Sequence, residues 1–136
     1  MQNKTNRVKK FGEVFTPPAL IIRMLDTLPS QLWTNPTHKF LEPSCGDGNF
    51  LVAILNRLMD SLDKWQPLDA KRHQHIVENM LYGIDIMQDN VDICINRLNA
   101  GHLKHHIVCA NALTYHYRFD EMTILKPSDE IFLWPP

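Results

Sequence analysis

Nine consecutive residues, Glu42-Pro43-Ser44-Cys45-Gly46-Asp47-Gly48-Asn49-Phe50, hold two carboxylates, a thiol and two glycines directly after an apolar run that ends at Leu41. Glycines at such a turn let a ligand approach the backbone closely, and ligands of open parallel sheets bind at the carboxyl ends of the strands. The side chains narrow the choice of ligand. A phosphate loop requires Lys-Ser or Lys-Thr after its last glycine, and a dinucleotide turn requires a third glycine where Leu51 stands. Neither is present, and Glu42 and Asp47 would repel a phosphate. A ligand bearing an ammonium group suits this turn better.

Two further polar residues follow strand-like runs. Asp85, in Tyr82-Gly83-Ile84-Asp85-Ile86, is a carboxylate placed to accept hydrogen bonds from both hydroxyls of a ribose. Asn111, in Ala110-Asn111-Ala112, offers an amide oxygen at the corresponding level, able to accept from an adenine amino group. Each has a plainer reading, the acid as a helix cap and the amide as a turn residue. Together, at three successive strand ends, they describe a nucleoside pocket.

The elements that must position these groups are legible as periods. Ile21, Met24, Leu25 and Leu28, then Leu51, Ile54, Leu55 and Leu58, then Val91, Cys94, Ile95 and Leu98 each carry the i, i+3, i+4, i+7 pattern of an amphipathic helix. Start signals precede them: Thr16 as a cap with Pro17 and Pro18 opening the first turn, Gly48 before Asn49, and Gln88-Asp89 with an acid in the first turn. Short apolar runs at residues 39–42, 80–84 and 107–110 read as buried strands. Residues 60–79 read as a turn and a further helix, residues 114–127 as loop, and Ile131-Phe132-Leu133-Trp134 as a last apolar run. Helices alternating with strands predict an α/β fold with a parallel sheet of about four strands and flanking helices.

Composition bounds the rest. A chain of 136 residues, 44% hydrophobic and 21% charged, is the size and make-up of one globular domain. No apolar run approaches the roughly 20 residues of a membrane span, and no apolar core of a signal peptide follows Met1, so a cytoplasmic protein is expected. Cys45, Cys94 and Cys109, odd in number and widely spaced, read as reduced thiols. A net charge of -1 excludes binding to nucleic acid by bulk charge. Lys4, Arg7, Lys9 and Lys10 make residues 1–10 a basic arm, suited either to phosphates or to a solvated terminus, ahead of a domain over residues 11–136. The histidines of His73-Gln74-His75 and His102-Leu103-Lys104-His105-His106 lack acids or cysteines at ligand spacing and read as surface residues, with no metal expected. Trp33, Trp65 and Trp134 read as packing residues, since no basic residues interleave with them.

Phe11-Gly12-Glu13-Val14-Phe15-Thr16-Pro17-Pro18 followed by Glu42-Pro43-Ser44-Cys45-Gly46-Asp47-Gly48-Asn49-Phe50 resembles the opening of the N6-adenine DNA methyltransferases, over roughly residues 11–113. The resemblance implies a Rossmann-like methyltransferase fold that binds S-adenosylmethionine. It implies that Phe15, Thr16, Pro17 and the turn residues Glu42, Pro43, Ser44, Cys45, Gly46, Asp47, Gly48 and Phe50 enclose the methionine part. Asp85, beside Ile86, would hold the ribose, and Asn111, beside Ala112, the adenine amino group, with Asn standing where the family usually has Asp.

The departure lies at the C-terminus. The family places Asn or Asp, Pro-Pro and an aromatic after the fourth strand, where amide and carbonyl polarise the target amine and the aromatic stacks on a flipped base. Here Leu133-Trp134-Pro135-Pro136 stands at that position, and Trp134 has one N–H donor and no acceptor. No catalytic residue is assigned, and the sheet is expected to be cut short relative to a full methyltransferase. Its last strand would leave an open edge for another chain, a protein partner or a second copy. Three functions are open: an adenine-N6 DNA methyltransferase or its cofactor-binding part, a non-catalytic protein acting on a restriction-modification or other complex, and a fragment holding only the fold.

Overall fold

The computed structural model describes residues 16–116 and 131–133. In chain order the elements are α1 (Pro18–Asp26), a 3-10 turn (Ser30–Trp33), β1 (Lys39–Glu42), α2 (Asn49–Ser61), α3 (Asp69–Asn79), β2 (Leu81–Asp85), α4 (Gln88–Arg97), β3 (His106–Cys109) and β4 (Ile131–Leu133). The four strands form one sheet in the order β3-β2-β1-β4, and every neighbouring pair is parallel. The expected α/β architecture is therefore present. The chain steps outward from β1 to β2 to β3, then returns to the other side of β1. A reversal of this kind opens a crevice at the carboxyl ends of the two strands that flank it, here β1 and β4.

Strand alternation sorts the core into two faces. Phe40, Leu81 and Ile107 point to one face and share a cluster with Ile21 and Leu25 of α1, Leu51, Ile54, Leu55 and Leu58 of α2, Ile76 and Val77 of α3, and Val91 and Cys94 of α4. Every helix among the described residues thus leans on the same side. Leu41, Tyr82 and Ile84 point to the other face, where Val108, Ala110, Ala112 and Tyr115 pack against them. The predicted apolar stripe of α2 is buried in full, and each such side chain contributes about 1.5–3 kcal/mol relative to exposure.

Three expectations shift in detail. Thr16 does not cap α1; Pro17 is the N-cap, with φ -61° and ψ 145°, and no side-chain cap bond forms. The physical reason is Pro18: its ring drives the preceding residue out of the helical region, so the helix begins at Pro18 itself. β2 and β3 each lie one residue off the predicted runs, β2 ending at Asp85 rather than Ile84 and β3 spanning His106–Cys109. Of residues 60–79, the second part forms α3 as predicted. The basic arm, Phe15, most of residues 114–127 and Trp134 lie outside the described residues.

Two glycines carry the geometry of the site. Gly46 and Gly48 hold φ of 54° and 98°, left-handed values that a side chain resists. A Cβ on Gly48 would also lie 2.8 Å from the Cys94 sulfur on α4. Gly48→Ala therefore combines backbone strain with overpacking, and urea denaturation should register a loss of about 2 kcal/mol. A variant as stable as the parent would refute the tight approach of α4 to this turn.

Candidate functional site

The structure brings the turn after β1 and the ends of β2 and β3 to one edge of the sheet. The turn is tied internally and to β2. The Ser44 N–H donates to Glu42 Oε1 at 3.0 Å, the Cys45 N–H to the Ile84 carbonyl at 2.8 Å, the Gly46 N–H to Asp85 Oδ2 at 3.0 Å, and the Gly48 N–H to the Cys45 carbonyl at 2.9 Å. Four backbone donors that would cradle a phosphate are committed to the protein itself. The turn offers a ligand acceptors and close backbone, consistent with an ammonium rather than an anion.

Asp85 is the node of this network. It is 7% exposed, and besides Gly46 its carboxylate accepts from the Met87 N–H at 2.8 Å and the Asn90 side-chain amide at 3.4 Å, both through Oδ1. A carboxylate has about four acceptor positions, so these three bonds leave it roughly one for a ligand hydroxyl. Ile86, immediately after it, is 59% exposed and presents a bare apolar surface beside the acid. On the next strand the Ala110 N–H donates to the Asp85 carbonyl at 3.0 Å, bringing Asn111 and Ala112 to the same edge. Asn111 is exposed, and its Oδ1 accepts from the Leu113 N–H at 2.9 Å, a local turn that retains one lone pair. Pro43, Ser44, Asp47 and Phe50 lie on the turn and the first residues of α2, with Phe50 packed partly against the core. Thr16 and Pro17 stand at the start of α1, where the Pro17 carbonyl accepts from Leu20 and Ile21.

Glu42 is 3% exposed at the very end of β1. Burial pushes its carboxyl up to about 7, against the lowering effect of the Ser44 N–H and with some help from the Asp85 charge. Such a group takes up a proton at neutral pH unless a cation is set against it.

Cys45 is not a nucleophile here. A hydrogen bond with the Cys94 thiol, together with burial, raises its thiol far above the ordinary range. Cys45 and Cys94 are buried, whereas Cys109 at the end of β3 is exposed, its thiol donating to the Ile86 carbonyl at 3.5 Å. Titration with a disulfide reagent should find one fast thiol in the native protein and three in denaturant; two fast thiols would contradict the buried pair.

Three of the histidines read as surface residues are corrected, while His102 is exposed as expected. His73, His75 and His106 are half-buried and bond through Nε2 to the carbonyls of Leu98, Pro36 and Glu78, each at 2.8 Å, so they tie α3 to its surroundings. Trp33 packs as expected, stacked on Phe40 at 5.3 Å, with the Arg57 guanidinium 5.0 Å above its ring. Trp65 does not: it stays 48% exposed, tilted against His75.

Two residues escaped the sequence reading. Asn90 is wholly buried against Asp85, and Arg97 reaches from the last turn of α4 to the glycine turn, where its Nη1 donates to the Asp47 carbonyl at 3.0 Å and to Asn49 Oδ1 at 2.8 Å. With Cys94 they stand at i, i+4 and i+7, a helical stripe next to the apolar one, and that spacing was the available signal.

Fold and site together define a parallel-sheet domain with acids, a glycine turn and an exposed amide gathered at its carboxyl edge. Residues 1–131 match the N-6 DNA Methylase family, and the chain belongs to that family. It is 39% identical over 77 residues to an uncharacterised adenine-specific methylase of Mycoplasma pneumoniae, covering 54% of this chain and 18% of that protein. It is 32% identical over 106 residues to the type II restriction enzyme and methyltransferase RM.BcgI of Heyndrickxia coagulans, covering 76% of this chain and 15% of that protein. Among solved structures, a Vibrio vulnificus YJ016 protein described as a modification subunit of a type I restriction enzyme shares the fold, with TM-score 0.53 and 19% identity over 80% of this chain and 21% of that one. The chain thus spans less than a quarter of each of these proteins. Among the described residues no helix is long and apolar enough to cross a membrane.

Proposed function

We propose that this chain is the S-adenosylmethionine-binding domain of an adenine-N6 DNA methyltransferase, residues 11–136 forming the domain and residues 1–10 a basic arm that lies along DNA phosphates. The observation that carries the reading is the pairing of Glu42 and Asp85 across the glycine turn: a buried acid suited to an ammonium group, next to an acid with an acceptor left for a ribose hydroxyl. The methionine part lies against Thr16, Pro17 and the turn, with Phe15 preceding them. The ribose meets Asp85, the adenine ring meets the exposed apolar side of Ile86, and Asn111 beside Ala112 accepts from the adenine amino group. Binding of this kind would set the chain's acceptors against the cofactor's donors.

Turnover by this chain alone is not part of the proposal. Trp134 follows β4 where the family has an amide or acid, and an indole cannot accept the target amine's protons. The acceptor that Trp134 cannot supply comes from a protein partner or a second copy seated on the β4 edge, and the work is done on DNA in the cytoplasm. A second reading keeps the cofactor pocket and has the chain act on a restriction-modification complex without catalysis; the same Trp134 favours it.

The test is calorimetric titration of S-adenosylmethionine and S-adenosylhomocysteine into the purified chain. Micromolar binding, with Cys109 labelling slowed by the ligand, is the expected result. No binding would remove the cofactor reading and leave a methyltransferase-like scaffold for protein contacts. If binding is found, adenine methylation that appears on adding the partner supports the split enzyme, and inhibition of a partner complex supports the second reading.

A further inference from the structure

Helix α4 does more than return the chain to β3. Asn90, Cys94 and Arg97 lie along one stripe of it, and each meets the site at a different depth. At the start of the helix the Asn90 amide, fully buried, donates to Asp85 Oδ1 at 3.4 Å. Midway, the Cys94 sulfur fills the space that a side chain on Gly48 would need. In the last turn the Arg97 guanidinium donates to the Asp47 carbonyl at 3.0 Å, to Asp47 Oδ1 at 3.4 Å and to Asn49 Oδ1 at 2.8 Å. The two polar contacts act on different parts of the crevice. Asn90 orients the carboxylate that faces a ribose, and Arg97 holds the turn whose acids suit an ammonium group.

We propose that Asn90 and Arg97 are positioning residues that govern the two halves of the cofactor separately, Asn90 through Asp85 for the nucleoside half and Arg97 through Asp47 and Asn49 for the amino-acid half. This rests on reading the crevice as an S-adenosylmethionine pocket. Neither residue needs to touch the ligand. Each removes freedom from a group that does, so that less ordering remains to be done on binding. The Arg97 charge also offsets that of Asp47, leaving Glu42 as the acid set against the ammonium.

Two ligands separate the halves: S-adenosylhomocysteine, and 5′-methylthioadenosine, which has the same nucleoside and lacks the amino acid. Calorimetry on the full chain should show Arg97→Ala weakening S-adenosylhomocysteine about tenfold while changing 5′-methylthioadenosine less than about twofold, with Arg97→Lys recovering part of the loss. Asn90→Ala should weaken both ligands by similar factors. Arg97 lies at the surface, so its variant tests the proposal even where Asn90→Ala fails to fold, and thermal melting of each variant reports any loss of structure. Equal weakening of both ligands by Arg97→Ala, or none, overturns the assignment. A parent chain that binds neither ligand overturns the pocket reading itself, and the proposal with it.

Discussion

Asp85→Ala should abolish detectable binding of S-adenosylhomocysteine, a loss of more than about a hundredfold, and should also destabilise the ligand-free chain by about 3 kcal/mol. Two effects combine. The variant removes the acceptor proposed for the ribose, and it strands the part-buried Gly46 and Met87 N–H groups and the fully buried Asn90 amide without their acceptor. Asp85→Asn separates the two, because one side-chain oxygen remains to accept from Met87 while the new amide meets the Gly46 N–H donor to donor. It should keep more of the stability than the alanine variant and still lose most of the binding. Calorimetry for affinity and urea denaturation for stability read the two effects independently. An alanine variant that binds within a few fold of the parent would show that Asp85 serves the fold alone.

A second large effect follows from Glu42, and it concerns pH. Its carboxyl sits at about 7 in the folded chain and near the ordinary 4.5 when unfolded. The folded state therefore holds the extra proton between those values, and stability from this group falls as pH rises through that window. It is complete below about 4.5 and gone above about 7, an amount of about 3 kcal/mol over the interval. Glu42→Gln should flatten the dependence and leave the variant more stable than the parent at pH 8, as measured by urea denaturation at pH 5.5 and 8. Ligand binding runs the opposite way. An ammonium requires the ionised carboxylate, so binding releases a proton, and affinity should rise on the order of tenfold to thirtyfold between pH 5.5 and 7.5. The glutamine variant should show weaker binding without that rise. A parent affinity independent of pH over this range would separate Glu42 from the ligand.

The parts of this structure that depend on local period were open to reading in advance. The stripe Leu51, Ile54, Leu55, Leu58 is buried as its spacing requires, because a helix of that length has only one way to hide it. The turn from Glu42 to Gly48 was legible because its glycines and acids exclude the common phosphate-binding loops. Strand ends were less so: a short apolar run fixes a strand's presence and not its register, and the one-residue shift of β2 is what carries Asp85 into the sheet. Thr16 failed as a cap because the Pro17-Pro18 pair imposes a steric rule that outweighs the preference for a hydroxyl. Arg97 was hidden for a different reason. Its spacing from Asn90 and Cys94 marks a stripe of α4, but it meets Asp47 across 50 positions of chain, and no local pattern names that partner. The histidines misled in the same manner, since the carbonyls they bond belong to other elements.

The amide protons of Ser44, Cys45, Gly46 and Gly48 have a kinetic consequence. A surface turn ordinarily exchanges its amide hydrogens with water almost as fast as an unfolded chain. Here each of these four is held by an acceptor, two of them reaching across to Ile84 and Asp85 on β2. Deuterium should enter the Cys45 and Gly46 amides at the pace of the central strands, when β1 and β2 come apart. The cradle and the middle of the sheet would then open and close as a single unit, so that loosening one empties the other.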